Sequence, residues 1–355
     1  MSKNIMGSAA VGVMGLALIS NAKTRRIFRT IDWTITQLKF NVISWKSILC
    51  DHLQSRYNQT DLPKMSGRVA IVTGGARGIG AEIVRILLEC DMDVIVACRD
   101  KAAGEKTVAK IREAGVLTGK ARVMKLDNSS LDSVRNFVKE FKNNYYKVDV
   151  LINNAGVMFV PYKESDDGFE QQYIVNYLSH FLLTSLLVPF LKKAGSSDLC
   201  SRIVNVSSCA HLLGNINFND INNTGDFFDS EAAYMQSKLA QVLSTKWYAR
   251  FFEKECLNIK VHAVHPGIVN TDLFFHDQTY LKYYNYVRNV LLKSPAEAAK
   301  SIVYAAISPR VEGKNGLYLS NCLEAPVHPS ANDQLLQDRL FEYSLKQVRL
   351  DGIST

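Results

Sequence analysis

The chain has no C-x-x-C pair and no histidines at metal-ligand spacing, and its seven cysteines are scattered and odd in number. No metal is therefore expected, and reduced thiols in a cytosol-facing domain fit better than a disulfide framework. Internal repeats and low-complexity tracts are also missing, which leaves one domain with an N-terminal extension as the economical organisation of 355 residues. Nor is the net charge of +8 gathered into a patch. Lys and Arg are dispersed and the aromatic residues make no stacking motif with them, so nucleic acid is not an expected partner. The apolar run Ile5–Ile19 falls short of the roughly 20 residues of a spanning helix.

What the chain does have is Tyr234-Met235-Gln236-Ser237-Lys238, in which a phenol and an ammonium four residues apart share one face of a helix. A nearby cation favours the phenolate, lowering the pKa from about 10 and making Tyr234 a working acid. Alone, such a pair is more often a solvated one. Far upstream, the β-branched run Val69–Thr73 leads into Gly74-Gly75-Ala76-Arg77-Gly78-Ile79-Gly80, and Ile79, Ile83, Ile86 and Leu87 follow at helical spacing. Glycines between a buried strand and a helix start let the backbone approach a pyrophosphate, which the helix N-terminus stabilises. The spacing T-G-x-x-x-G-x-G differs from the G-x-G-x-x-G dinucleotide fingerprint.

Strand patterns at Val69–Thr73, Val94–Cys98, Arg122–Leu126, Val150–Asn153, Ile203–Ser207, Lys260–Val264 and Gly316–Leu319 alternate with helical ones. This predicts an α/β fold: a doubly wound, mostly parallel Rossmann-type sheet flanked by helices. Ligands then belong at the carboxyl ends of the strands, where the turn, Arg99, Asp127, Asn153, Ser208 and Pro266 all fall.

Together these residues resemble the short-chain dehydrogenase/reductase family from about Gly67 to about Cys322. Thr73 to Gly80 is similar to its cofactor turn and Asn153-Asn154-Ala155-Gly156 to its N-N-A-G segment. Ser208 with Tyr234 and Lys238 resembles its catalytic set, and Pro266-Gly267 its P-G after the sixth strand. Ala97–Asp100, Val175–Phe181 and Arg202–Ser208 are similar to the retinol-dehydrogenase branch.

The resemblance implies hydride transfer between a nicotinamide and a carbonyl or carbinol carbon. Tyr234 would then be the proton donor, Ser208 its partner on the substrate oxygen, and Lys238 the group that lowers the phenol pKa and binds the nicotinamide ribose. Asn176 would hold a water in a relay to Lys238, with a buried amide at a helix irregularity as the alternative. Thr73, Gly74, Arg77, Gly78, Ile79, Gly80, Arg99, Asp127, Asn153, Gly156, Tyr234, Lys238, Pro266 and Gly267 are the expected cofactor contacts. Asp127 would receive the adenine amino group or else cap the helix near Ser129, and Asn153 and Gly156 would line the adenosine ribose or merely turn the chain. The second strand ends in Cys98-Arg99 instead of a carboxylate, so Arg99 and Arg77 are predicted to favour NADP(H) through a 2′-phosphate. Asp100 leaves NAD(H) open.

Aromatic residues from Leu273 to Val287 suit an apolar ligand, and the branch resemblance implies a lipophilic alcohol or aldehyde. Long isoprenoids of polyprenol or dolichol type come first, retinoids next and steroids behind them. A noncatalytic NADPH-binding sensor is the rival class. The resemblance also implies a homodimer as one assembly state.

For the extension, residues 1–64, the basic Lys23, Arg25, Arg26 and Arg29 follow the apolar run and favour an uncleaved anchor with the domain in the cytosol, at the endoplasmic reticulum. Secretion after cleavage at Ala22, or a lipid droplet, are the alternatives. Ile27, Ile31, Trp33, Ile35, Leu38, Phe40, Ile43, Trp45 and Ile48 read as a helix lying on a membrane or on the catalytic domain at 65–322. Residues 323–355 are expected to pack on that domain.

Overall fold

The computed structural model describes residues 22–58, 62–224, 228–270 and 292–354. The run Ile5–Ile19, the side chains of the basic cluster and the aromatic residues from Leu273 to Val287 lie outside the described residues. The chain divides into two units, Met1–Lys46 and Ser47–Thr355. Residues 47–58, expected with the extension, therefore belong to the larger unit.

Helix α1 (Ala22–Leu53) runs through most of the extension. Ile31, Ile35, Leu38, Val42, Trp45 and Leu49 recur along it at intervals of four and three, a continuous apolar seam. All six are 44–67% exposed.

In the larger unit one eight-stranded sheet has the order β3-β2-β1-β4-β5-β6-β7-β8. Its strands are β1 (Val69–Thr73), β2 (Asp93–Cys98), β3 (Lys120–Lys125), β4 (Val150–Asn153), β5 (Ser201–Val206), β6 (Ile259–His265), β7 (Tyr318–Ser320) and β8 (Leu323–Glu324). Every pairing is parallel except β7 with the two-residue β8, which sequence reading did not foresee because so short a strand carries no period. Buried β-branched residues fill the central strands because helices cover both faces.

On one face α2 (Gly78–Glu89), α3 (Lys101–Glu113) and α7 (Pro295–Ile307) bring Ile83, Leu87, Ile111, Ile302 and Val303 onto Val72, Val96 and Val204. On the other, α4 (Leu131–Asn144), α5 (Ser179–Ala194) and α6 (Ser230–Lys254) bring Phe137, Leu183 and Leu243 onto Ile71, Ile95 and Ile203. Alternation along β1 and β2 sends successive side chains to the two cores. The apolar run Gln171–Ala194 is long enough to cross a membrane, but 83% of it is buried, as in a core helix.

Helix starts follow sequence chemistry. Asp100, Ser130, Asp229 and Asp333 each accept from backbone amides of the following turn. Ser294 and Glu297 form a reciprocal capping box with Pro295 at the first position.

The chain closes with α8 (Gln334–Gln347) against α6, where Phe341 lies on Trp247 with ring centroids 3.3 Å apart and planes 7° from parallel. Gln347 accepts from the Tyr173 hydroxyl at 2.8 Å, and Ser344 shares a 2.8 Å hydrogen bond with Tyr177.

Candidate active site

The glycine turn joins β1 to α2 at the carboxyl edge of the sheet. Gly74 and Gly78 have φ of +67° and +54°, and a Cβ on Gly80 would lie 2.1 Å from the Gly74 carbonyl oxygen. Only glycine fits such a path. No side chain caps α2, because Arg77 at its N-cap points away, so the helix start offers free N–H groups to an anion. Arg77 and Arg99 are exposed and take no partner among the described residues. Asp100 turns to its own helix and accepts from the Ala103 N–H at 3.1 Å. These residues fit a dinucleotide: a bare helix terminus for the pyrophosphate, two unpaired guanidiniums beside it, and no carboxylate turned toward a ribose diol.

Thr73 and Asn153 are fully buried and hydrogen-bonded within the protein. Thr73 is fully buried; its hydroxyl accepts from the N–H groups of Asn154 and Ala155, both at 2.9 Å, and meets His180 Nε2 at 2.9 Å. His180 Nδ1 meets the Asn176 carbonyl at 3.0 Å. That contact fixes the proton on Nδ1, so Nε2 accepts from Thr73. Burial pulls the His180 pKa down to about 4 and keeps the ring neutral. Asn153, also fully buried, donates to Thr184 Oγ1 at 3.0 Å and Asn205 Oδ1 at 2.8 Å, tying β4 to β5 and α5. The period of a strand sends that amide into the core, ahead of the turn that carries Gly156. A Cβ on Gly156 would lie 3.3 Å from Asn176 Oδ1 and 3.8 Å from Lys238 Nζ. Asp127 Oδ1 accepts from the backbone and hydroxyl of Ser129, at 2.9 and 2.7 Å, while Ser130 is the helix cap.

Asn176 sits in a π-turn, Ile174–Leu178, that widens the helix leading into α5. Its Oδ1 accepts from the Val157 N–H at 2.8 Å, and its Nδ2 donates to the Val157 carbonyl and Ser237 Oγ at 3.0 and 2.9 Å. The backbone carbonyl accepts from Gln241 as well as His180. Through these bonds Asn176 positions the 155–157 turn.

Tyr234 and Lys238 share the buried face of α6, with Lys238 Nζ 5.6 Å from the centre of the Tyr234 ring. Nζ donates to the Val206 carbonyl at 2.8 Å. Ser208, capping the short 3₁₀ turn Cys209–Leu213, lies beside the Tyr234 phenol and favours its ionised form. Ser207 donates to the Lys238 carbonyl at 2.9 Å and faces away from the phenol. Burial raises the Tyr234 pKa above its ordinary value, and the lysine does not offset it, contrary to the sequence expectation. The reason is mutual: burial also lowers Lys238, to about 7, so its charge is no longer assured at neutral pH.

Sequence reasoning missed three neighbours. Phe159 packs edge-on against Tyr234 at 5.3 Å, from a backbone with φ of +51° that no motif announced. The Tyr318 hydroxyl on β7 is buried without a hydrogen-bond partner, near Cys209 and Tyr234. His265 accepts from the Cys209 N–H at 3.3 Å through Nδ1 and bonds Ser47 at 2.8 Å through Nε2. Only their position at strand ends could have drawn attention to Tyr318 and His265. Among the described residues no group of His, Cys, Asp and Glu could hold a metal ion.

A doubly wound sheet with a glycine turn and a Ser-Tyr-Lys set whose phenol and lysine are buried defines a nucleotide-dependent oxidoreductase. Residues 68–279 match the short chain dehydrogenase family, and the chain belongs to it. Polyprenol dehydrogenase of Danio rerio is 39% identical over 309 residues, 86% of this chain and 94% of that protein. Retinol dehydrogenase 14 of Homo sapiens is 38% identical, over 81% of this chain and 88% of its own. Among solved structures, an uncharacterized protein from Mycobacterium paratuberculosis has a TM-score of 0.66 at 30% identity, covering 83% of this chain and 98% of that one. The Pseudomonas aeruginosa RhlG/NADP active-site complex has a TM-score of 0.57 at 25% identity, over 72% of this chain and 95% of its own. The chain is thus an NAD(P)-dependent oxidoreductase acting on alcohols.

Proposed function

We propose that this enzyme uses NADP(H) to interconvert long isoprenoid alcohols and their aldehydes at a membrane surface, facing the cytosol from the endoplasmic reticulum. The observation that carries the reading is Ser208 with the buried Tyr234 and Lys238, together with the unpaired guanidiniums of Arg77 in the glycine turn and Arg99 after β2. Arg77 and Arg99 support a 2′-phosphate, and the capping role of Asp100 removes the carboxylate that a bare ribose diol would prefer. Similarity to polyprenol dehydrogenases favours an isoprenoid substrate, and similarity to retinol dehydrogenase 14 supports retinoids as the second reading. The exposed seam on α1 supports the membrane as a partner.

When bound, the dinucleotide supplies or accepts the hydride. In the reducing direction Tyr234 gives its phenolic proton to the alkoxide oxygen, and in the oxidising direction it takes that proton from the alcohol. Ser208 hydrogen-bonds the same oxygen and steadies its developing charge. Lys238, near neutrality, can take up or release a proton behind Tyr234.

The test is turnover by membrane-reconstituted full-length protein on polyprenal, dolichal, retinal and a steroid ketone, with NADPH and NADH in parallel. Consumption of NADPH with the isoprenoid aldehydes, lost in Tyr234→Phe, is expected. NADPH binding without turnover of any of the four would overturn the substrate assignment.

A further inference from the structure

Immediately after β6, the Pro266-Gly267 turn is held from outside the family core. Asp51, in the last turn of α1 and only 4% exposed, accepts from the Ile268 N–H through Oδ2 at 3.1 Å. Its Oδ1 lies 3.0 Å from Lys293 Nζ and accepts from Asn321 Nδ2 at 3.1 Å. Lys293 also donates to Asn321 Oδ1, and Gln54 accepts from Asn321 Nδ2 at 3.3 Å. The Lys293 backbone pairs with the same stretch, donating to the Ile268 carbonyl at 3.0 Å and accepting from Asn270 at 2.9 Å. The packing is flush: at Gly267, with φ of +93°, an added Cβ would lie 2.6 Å from Lys293 Cδ and 2.7 Å from Asp51 Oδ2.

A second thread starts one turn earlier on α1. Ser47 bonds His265 Nε2, and His265 Nδ1 accepts from the N–H of Cys209, the residue after the catalytic serine. Further along, Asn58 donates to the Glu297 carbonyl at 2.7 Å and accepts from Ser301 at 2.9 Å. The segment from Ser47 to Asn58 precedes the family match, which begins at residue 68. A buried ion pair contributes little net stability against apolar packing, yet it fixes geometry because its partners have few alternatives.

We propose that Asp51 is a positioning residue for the cofactor site: paired with Lys293, it sets the Pro266–Val269 turn from the end of the N-terminal helix. This rests on the nucleotide-dependent reading above. Consequently the end of the extension is a working part of the enzyme, and the anchor region and the catalytic core meet in one polar cluster within the larger unit.

The experiment titrates NADPH and NADH by fluorescence into full-length protein, without substrate, in parent, Asp51→Leu/Lys293→Met and Asp51→Asn. Thermal melts run alongside. The double variant removes both buried charges and so melts near the parent, but it leaves the Ile268 N–H without an acceptor. Its NADPH affinity is expected to fall at least about tenfold, the scale of a lost hydrogen bond to a charged group. Asp51→Asn keeps the shape and a weaker acceptor, and is expected to lose about threefold, with faster hydrogen exchange of the peptide spanning Ile268. Parent-like affinity in a variant that melts cooperatively would overturn the proposal while leaving the oxidoreductase reading intact. A parent that binds neither nucleotide would overturn both.

Discussion

Lys238 donates its Nζ to the Val206 carbonyl at 2.8 Å, so the ammonium is anchored to the end of β5 and surrounded by protein. The unfolded chain holds that proton up to about 10.5, whereas the folded one releases it near 7. The unfolded state therefore binds more protons across this window, and folding stability gains as pH rises through it. Below 7 the full burial penalty applies. Lys238→Met is expected to melt above the parent at pH 6, with a gap that narrows toward pH 9. Calorimetric melts across this range, without nucleotide, check it; a gap that does not change with pH would show the folded lysine charged throughout.

Tyr234→Phe removes the phenol proposed to exchange a proton with the substrate oxygen. Turnover is expected to drop by roughly 10²–10⁴, the usual weight of general acid–base catalysis. NADPH binding should change little, since the ring and its contact with Phe159 remain. Stopped-flow turnover and equilibrium binding on the same preparation separate the two effects.

Arg77→Ala and Arg99→Ala each remove an exposed guanidinium at the glycine turn or at the end of β2. Each is expected to weaken NADPH by about tenfold and leave NADH nearly unchanged, because only the former carries a 2′-phosphate to form charge-assisted bonds. The ratio of the two dissociation constants is the readout. Equal losses for both nucleotides would point to a structural effect of the turn.

Phe341→Ala deletes the ring stacked on Trp247. The half-buried position and the lost aromatic contact together predict a loss of about 2 kcal/mol. Urea denaturation followed by far-ultraviolet circular dichroism measures it, and active-site chemistry should persist at low denaturant.

Along α1, Trp45 stands in the exposed seam. With Trp33 and Trp247 replaced by Phe, Trp45 is the sole tryptophan, since the chain has three. Its emission is expected to shift to the blue on reconstitution into vesicles and to be quenched by brominated lipids. An unshifted emission would place the seam away from the acyl chains.

The sheet was legible because β-branched runs and glycine turns announce βα units. β1 and β4 match residue for residue, whereas the third strand begins two residues earlier, at Lys120: it is an edge strand whose alternating exposure blurs its limits. The pairing of Tyr234 with Lys238 on one helix face was legible from spacing, whereas Ser208 and Asn176 came from the family resemblance. Which atoms Thr73, Asn153 and Asn176 engage within the protein depends on side-chain direction, which no spacing conveys. The pKa balance of Tyr234 and Lys238 was misread because spacing conveys proximity and not desolvation. Asp51, His265 and Lys293 were invisible since their partners lie as much as 270 positions away in sequence, beyond the reach of any local pattern.

The placement of α8 also carries a kinetic meaning. Among the described residues the hydroxyls of Tyr173 and Tyr177 find their partners in Gln347 and Ser344, so these two phenols cannot be buried with those hydrogen bonds made until residues 344 and 347 have left the ribosome. Synthesis runs at about 5–20 residues per second, and for that interval the aromatic faces of α5 and α6 stand open to chaperones and to other nascent chains. A premature stop before residue 344 would therefore leave a sheet with all its strands and an uncovered flank, a species expected to be retained by the folding machinery or to aggregate.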